Sequence, residues 1–255
     1  MSATVPAIAL AVAAAAIVFG LWQQRLAARA HAALQRSTEE LGRLERAFAR
    51  FAPAEVVEEI GAHGLRESAV KREVTVLFAD IQGFTSMSDQ LDPAVLVEIL
   101  NGYFQEMSAA ITAHHGHVSK FMGDGLMALF GAIVTNPWQA RDATLAALAM
   151  REALVSYNGR LRERSLPELK FGVGIHRGSV IAGLIGNEAL MEFTVIGDVV
   201  NVAARIESLT RKHGADILVS GEVRGGLDDR FRLREMPATE VKGKPEPVVT
   251  WAVDG

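Results

Sequence analysis

Asp80 and Asp124, 44 residues apart, each stand where an apolar β-type run breaks into a glycine turn. The first run is Val74-Thr75-Val76-Leu77-Phe78-Ala79-Asp80, followed by Ile81-Gln82-Gly83-Phe84-Thr85; the second is Lys120-Phe121-Met122-Gly123-Asp124-Gly125, followed by Leu126 to Phe130. Carboxylates at the ends of buried strands, beside flexible backbone, present hard oxygen ligands to Mg²⁺ and leave room for phosphates. A carboxylate buried there without a partner would be costly, so a cation or hydrogen-bond donors belong beside it. Either aspartate alone could simply cap a turn. Two in such similar settings point to a metal-dependent nucleotide enzyme. The Gly83-Phe84-Thr85 turn adds free backbone N–H groups that can cradle phosphate oxygens. The chain has no GxxxxGK[ST] loop, so phosphates must be held in another way.

A third segment runs Glu192-Phe193-Thr194-Val195-Ile196-Gly197-Asp198-Val199-Val200-Asn201-Val202-Ala203-Ala204-Arg205-Ile206-Glu207. Asp198 is the expected N-cap of a helix in which Asn201 and Arg205, four apart, share a face. An Asn that fixes a sugar and an Arg that grips a phosphate fit a transition-state clamp. The same spacing also suits an exposed polar face with Arg205 paired to a nearby acid.

These segments need a scaffold, and the pattern from about Lys71 is mixed α and β. Strands are expected at 73–80, 117–122, 126–130, 171–177, 179–185, 193–196, 216–220 and 247–253, and helices at 93–113, 138–163 and 198–212. Gly102 inside the first helix costs about 1 kcal/mol relative to alanine. The Gly-Asp-Gly turn joins 117–122 and 126–130 as an antiparallel hairpin. Strand, helix, hairpin, helix, strand is the α+β, ferredoxin-like βαββαβ plan. The histidines at 114, 115 and 117 lack a carboxylate partner, and His176 lies among strand residues; both read as structural.

Upstream, Val5 to Trp22 is about 18 uncharged, mostly apolar residues, near the lower limit for crossing a bilayer. Trp22 suits an interface, and Arg25, Arg29 and Arg36 follow with no Lys or Arg before, which places the remainder in the cytoplasm. A cleavable signal peptide would need a basic start. The expected organisation is a single-pass membrane anchor at 1–22, a helical linker at 23–70 and a catalytic domain at 71–255, with only a few residues outside the cell. In the linker, Ala27, Leu34, Leu41 and Phe48 recur every seventh residue beside Ala30, Leu44 and Phe51, with Ser37 interrupting. A short two-stranded coiled coil fits this, as does an amphipathic helix lying on the domain or the membrane. Pro53 starts a further helix, Ala54 to Ile60.

Composition narrows the classes. The chain has 255 residues, 49% of them apolar, no cysteine and a formal charge of −4. Disulfides, zinc–thiolate sites and thiol nucleophiles are excluded. Residues 25–51 carry six Arg against three Glu, so the remainder stands near −7. An acidic main domain does not suit duplex nucleic acid.

Taken together, these segments resemble the class III nucleotidyl cyclases, the adenylate and guanylate cyclases, from about Glu73 to Trp251. The likeness lies in the FADIxGFT-like start, the KFxGDGxMAxFG-like hairpin, Gly174-Ile175-His176-Arg177-Gly178 and the IGDxVNxAAR-like helix; Phe48 to Ile60 is similar to the helix preceding the domain in bacterial members. The resemblance implies a palm-like catalytic domain in which Asp80 and Asp124 bind two Mg²⁺ or Mn²⁺ ions with help from the Ile81 carbonyl. It implies that Asn201 orients the ribose and Arg205 stabilises charge at the α-phosphate. Lys120 stands at the base-reading position, where an ammonium can donate to adenine N1 and guanylate cyclases usually carry glutamate. Thr194 stands where many animal adenylate cyclases have aspartate, and a subgroup of bacterial enzymes resembles this chain in having threonine, whose hydroxyl can still accept from the adenine amino group. Lys242 and Lys244 both lie near the family's triphosphate-binding lysine. In this family one chain gives the aspartates and the other gives Lys120, Thr194, Asn201 and Arg205, so the chain is expected to be a self-sufficient homodimer. The implied activity is conversion of ATP to 3′,5′-cyclic AMP and pyrophosphate. A guanylate cyclase of the same family and an inactive nucleotide-sensing or dimerisation module are the alternatives. Diguanylate cyclases share the plan, but Met122-Gly123-Asp124-Gly125-Leu126 does not match their GGDEF hairpin.

Overall fold

The computed structural model describes residues 22–24, 31, 34–42, 69–187, 190–239 and 247–254. The chain divides into two compact units, Met1–Val57 and Glu58–Gly255. In the first, residues 22–24, 31 and 34–42 are helical, with Leu34 and Leu41 exposed seven positions apart. Among the described residues no helix is long and apolar enough to cross a membrane. All of the expected span except Trp22 lies outside the described residues. So do the heptad positions Ala27, Ala30, Leu44, Phe48 and Phe51, the Ala54–Ile60 helix, and Lys242 and Lys244.

The second unit is built in the order β1 (Val70–Ile81), α1 (Phe84–Ser88), α2 (Pro93–Ala113), β2 (His117–Met122), β3 (Gly125–Phe130), α3 (Gln139–Glu163), β4 (Phe171–Asn187), β5 (Leu190–Ile196), α4 (Asp198–His213), β6 (Ile217–Ser220), α5 (Gly221–Arg224), β7 (Leu233–Glu235) and β8 (Thr250–Val253). The sheet order is β2-β3-β1-β4-β6-β8-β7, with β5 pairing β4. Its core, β2-β3-β1-β4 with α2 and α3 as crossovers, is the expected βαββαβ plan. The alternation of β1 explains the layering. Leu77, Ala79 and Ile81 join the core beneath α2 and α3, while Val74, Val76 and Phe78 join a second cluster with Val199 and Ala203 of α4. With both faces covered, β3 is buried throughout.

Two expected strands, 171–177 and 179–185, are one 17-residue strand, β4. All twelve residues of β1 pair along it, from Val70 against Ala182 to Ile81 against Phe171, so Gly178 falls inside a ladder and not in a turn. β5 is longer than expected, and the expected strand 247–253 is a single bridge at Val248 followed by β8. Gly102 has a packing reason: a Cβ there would fall 2.4 Å from the Tyr157 hydroxyl, which donates to the Ile99 carbonyl at 2.9 Å. Asp198 is the first residue of α4 and not its N-cap; Gly197 takes that position in extended conformation.

Candidate active site

Asp80, the penultimate residue of β1, follows the alternation onto the α4 side of the sheet. Beside it the β2–β3 turn passes through Gly123 in the left-handed region (φ 64°) and presents Asp124. Gly125 lets the two meet: a Cβ there would lie 3.1 Å from the Ala79 carbonyl and 3.2 Å from Asp80 Oδ1. The Asp124 carboxyl is held above the ordinary carboxylate range, first by burial and then by the Asp80 charge, with which it shares a hydrogen bond. Two acids pressed together in this way are a site that favours a cation.

One cation is already there. Arg211, in the last turn of α4, donates from Nη2 to Asp80 Oδ2 at 2.5 Å and lies 3.7 Å from Glu207 Oε1. Glu207 is 6% exposed, and its buried Oε1 has no hydrogen-bond partner among the described residues. Its carboxyl is pushed up to about 7, chiefly by burial and further by Asp80 and Asp124, against the lowering effect of Arg211 and Ser208. The helix reaches this place because β4 carries glycines beneath it. A Cβ on Gly172, the register partner of Asp80, would lie 2.8 Å from Glu207 Oε1 and sooner strike the Thr210 hydroxyl. A Cβ on Gly174 would run into the α4 backbone, with Ala203 O and Glu207 Cα both at 2.6 Å. On the opposite face of the sheet, the buried Tyr103 hydroxyl of α2 has no hydrogen-bond partner among the described residues, and burial together with the three carboxylates raises its pKa.

Asn201 and Arg205 lie on another face of α4. Asn201 is exposed and Arg205 half-buried, with the Arg205 Nη1 buried and unpartnered. No hydrogen bond or ion pair among the described residues joins either one to Asp80 or Asp124. Among the described residues no ion pair joins Arg205 to an acid, and the exposure of Asn201 suits either reading of this helix face.

Lys120 and Thr194 are brought to one region by the β2 and β5 strands. Lys120 Nζ is paired to Glu192 at 3.0 Å, and Glu192 precedes Thr194 by two on β5, hence on the same side of that strand. Glu192 and Glu207 were both missed by reading the sequence. The signals were there: Glu192 alternates with Thr194, and Glu207 is an acid among Val199, Ala203 and Ile206 on the apolar face of a helix. Gly83 adopts φ 76° and opens α1, where the bond from Met87 N to Gly83 O at 3.2 Å leaves the first-turn N–H groups of Phe84 and Thr85 without helical acceptors. Ile81 closes β1, buried against Phe171. His176 is structural, its Nδ1 2.8 Å from the Ser220 hydroxyl. Among the described residues no three His, Asp or Glu side chains converge to hold a metal, so Asp80 and Asp124 would share any ion with backbone, substrate or water oxygens.

Residues 67–255 match the adenylate and guanylate cyclase catalytic domain. The chain belongs to this family. It is 37% identical over 233 residues to an adenylate cyclase of Anabaena cylindrica, a match covering 87% of this chain and 45% of that protein. The chain thus spans less than half the length of that curated relative. Among solved structures, the guanylyl cyclase Cya2 superposes with a TM-score of 0.69 at 36% identity, covering 73% of this chain and 94% of that one. The adenylyl cyclase CyaB from P. aeruginosa gives 0.69 at 31% identity, covering 74% and 96%. Cyclases named for either base are therefore similar to this chain, and base choice rests on the residues themselves.

Proposed function

We propose that this cyclase converts ATP to 3′,5′-cyclic AMP and pyrophosphate at sites shared between two copies of the chain. The observation that carries the reading is the pair Asp80 and Asp124, held together tightly enough that burial and mutual repulsion raise one of them. Asp80, Asp124 and the Ile81 carbonyl would hold two Mg²⁺ or Mn²⁺ ions, which when bound make the ribose 3′-OH a better nucleophile and offset triphosphate charge. The residues fit that group: two hard carboxylates, a turn trimmed by glycine, and an arginine standing in as counter-charge.

The protein's own groups do the rest. Asn201 orients the ribose, and the Arg205 guanidinium, whose Nη1 has no hydrogen-bond partner among the described residues, meets the charge that develops at the α-phosphate. The 3′-oxygen bonds to the α-phosphorus in line, the bond to the bridging oxygen breaks, pyrophosphate leaves, and the hydroxyl proton passes to water. The first-turn N–H groups at Gly83, Phe84 and Thr85 receive phosphate oxygens, and Lys242 or Lys244 meets the triphosphate. Lys120 donates to adenine N1, with Thr194 accepting from the amino group. Since no hydrogen bond or ion pair among the described residues joins Asn201 or Arg205 to the aspartates of the same chain, a second copy would complete each pocket. The exposed Leu34 and Leu41 fit a linker that pairs two copies, and the apolar segment from Val5 to Trp22 fits a single-pass membrane anchor with the catalytic domain in the cytoplasm.

One observation favours a second reading. Glu192, in contact with Lys120, is an acceptor of the kind guanine N1–H requires, which a guanylate cyclase would use. Purified full chain incubated separately with ATP and GTP, each with Mg²⁺ and with Mn²⁺, separates the two. Cyclic AMP as the dominant product is expected. Dominant cyclic GMP would reverse the base assignment, and no pyrophosphate from either nucleotide would leave the inactive module.

A further inference from the structure

Arg211 lies outside every motif that marks the cyclase family in this chain, yet it holds the carboxylate on which the metal reading depends. Its guanidinium sits between two acids, bonded to Asp80 and 3.7 Å from Glu207 Oε1, an oxygen that has no hydrogen-bond partner. It also borders a cleft of about 390 Å³ with Gln82, Lys170 and Asp216, so the side chain has room to move. A divalent ion and a guanidinium cannot both neutralise one carboxylate oxygen at short range without repelling each other.

We propose that Arg211 is a positioning residue of the metal site. It keeps the Asp80 carboxylate aligned and neutralised before the ion arrives, then yields to the ion by moving onto Glu207 Oε1. Glu207 is the receiving group because a buried carboxylate oxygen with no donor gains a charge-assisted hydrogen bond when the guanidinium swings over. The ligand set is thus held in place between turnovers, and metal affinity is set partly by the arginine the ion must displace. The inference rests on Asp80 and Asp124 being the metal site.

The test is direct Mn²⁺ binding to the full chain without nucleotide, read from the free-Mn²⁺ signal in electron paramagnetic resonance at low ionic strength. Replacing a half-exposed ion pair should change affinity by no more than a few fold, so Arg211→Gln is expected to bind Mn²⁺ about threefold to fivefold tighter than wild type. Arg211→Lys, which restores the charge, should return to within about twofold of wild type on the same reasoning. Glu207→Gln, which removes the receiving group, should weaken binding, and by less when Arg211 is already Gln. Unchanged or weaker Mn²⁺ binding in a folded Arg211→Gln chain would overturn the proposal. If that variant does not fold, a Mn²⁺-soaked crystal of the wild-type protein decides it. Arg211 bonded to Glu207 beside the ion supports the exchange, and Arg211 still on Asp80 overturns it. Asp80→Asn separates the two levels: wild-type Mn²⁺ affinity in that variant would sink the metal site itself.

Discussion

Two faces of α4 behave differently. The face carrying Glu207 and Arg211 is turned to its own sheet, where glycines on β4 bring it against Asp80. Among the described residues, Asn201 and Arg205 on the other face are bonded to neither aspartate, and one buried guanidinium nitrogen of Arg205 has no hydrogen-bond partner. Both faces carry an arginine and a polar or acidic residue four apart, so spacing alone does not distinguish them. What does is the packing: one pair has found its anion within the chain, and the other has none among the described residues.

Breaking the Asn201–Arg205 face should cost activity most. Arg205→Ala is expected to lower kcat by about 10²–10³-fold with little change in thermal stability, as for loss of a donor aimed at transition-state charge. A drop confined to KM would show that Arg205 only binds substrate. Moving the helix away from the sheet comes next. Gly174→Ala forces a methyl into the α4 backbone and should destabilise by about 3 kcal/mol, at the upper end of overpacking costs. Gly172→Ala, which meets side chains that can turn aside, should cost about 1 kcal/mol. Equal denaturation midpoints for the two variants would mean that α4 is free to slide.

The smallest effect is pH-dependent. Glu207 titrates near 7 in the folded, metal-free protein and near 4.5 when unfolded, so the folded state binds the extra proton between those values. Its contribution to stability is thus fully present below about 4.5 and is lost as pH rises through about 7. Glu207→Gln should flatten the fall in melting temperature from pH 5 to 8 measured in chelator, with a gain of about 1–2 kcal/mol at pH 8. A melting curve that falls as steeply as in wild type would show that Glu207 is already ionised in the fold.

The local features were legible in the sequence. The Asp80 run, the Gly-Asp-Gly hairpin and the Asn201–Arg205 spacing each lie within a dozen residues, where period and turn chemistry speak directly. The long-range partners were not. Arg211 and Asp80 are 131 residues apart, and Lys120 and Glu192 are 72 apart. Only the β1–β4 register and the glycine track that lets α4 approach bring the first pair together. β4 was read as two strands because a glycine at 178 looks like a turn until its partner strand is known to run past it. Asp198 was read as a cap because Gly197, with no side chain to cap with, gave no competing signal.

If the two faces of α4 serve different active sites, one in each chain, activity must be recoverable by combining two defective chains. Mixing Asp80→Ala and Arg205→Ala chains, each inactive alone, tests it most directly. Random pairing of two copies should restore about a quarter of wild-type cyclase activity, because half the dimers are mixed and each then has one intact site. No recovery, with mixed dimers shown to form, would mean that each chain closes its own site.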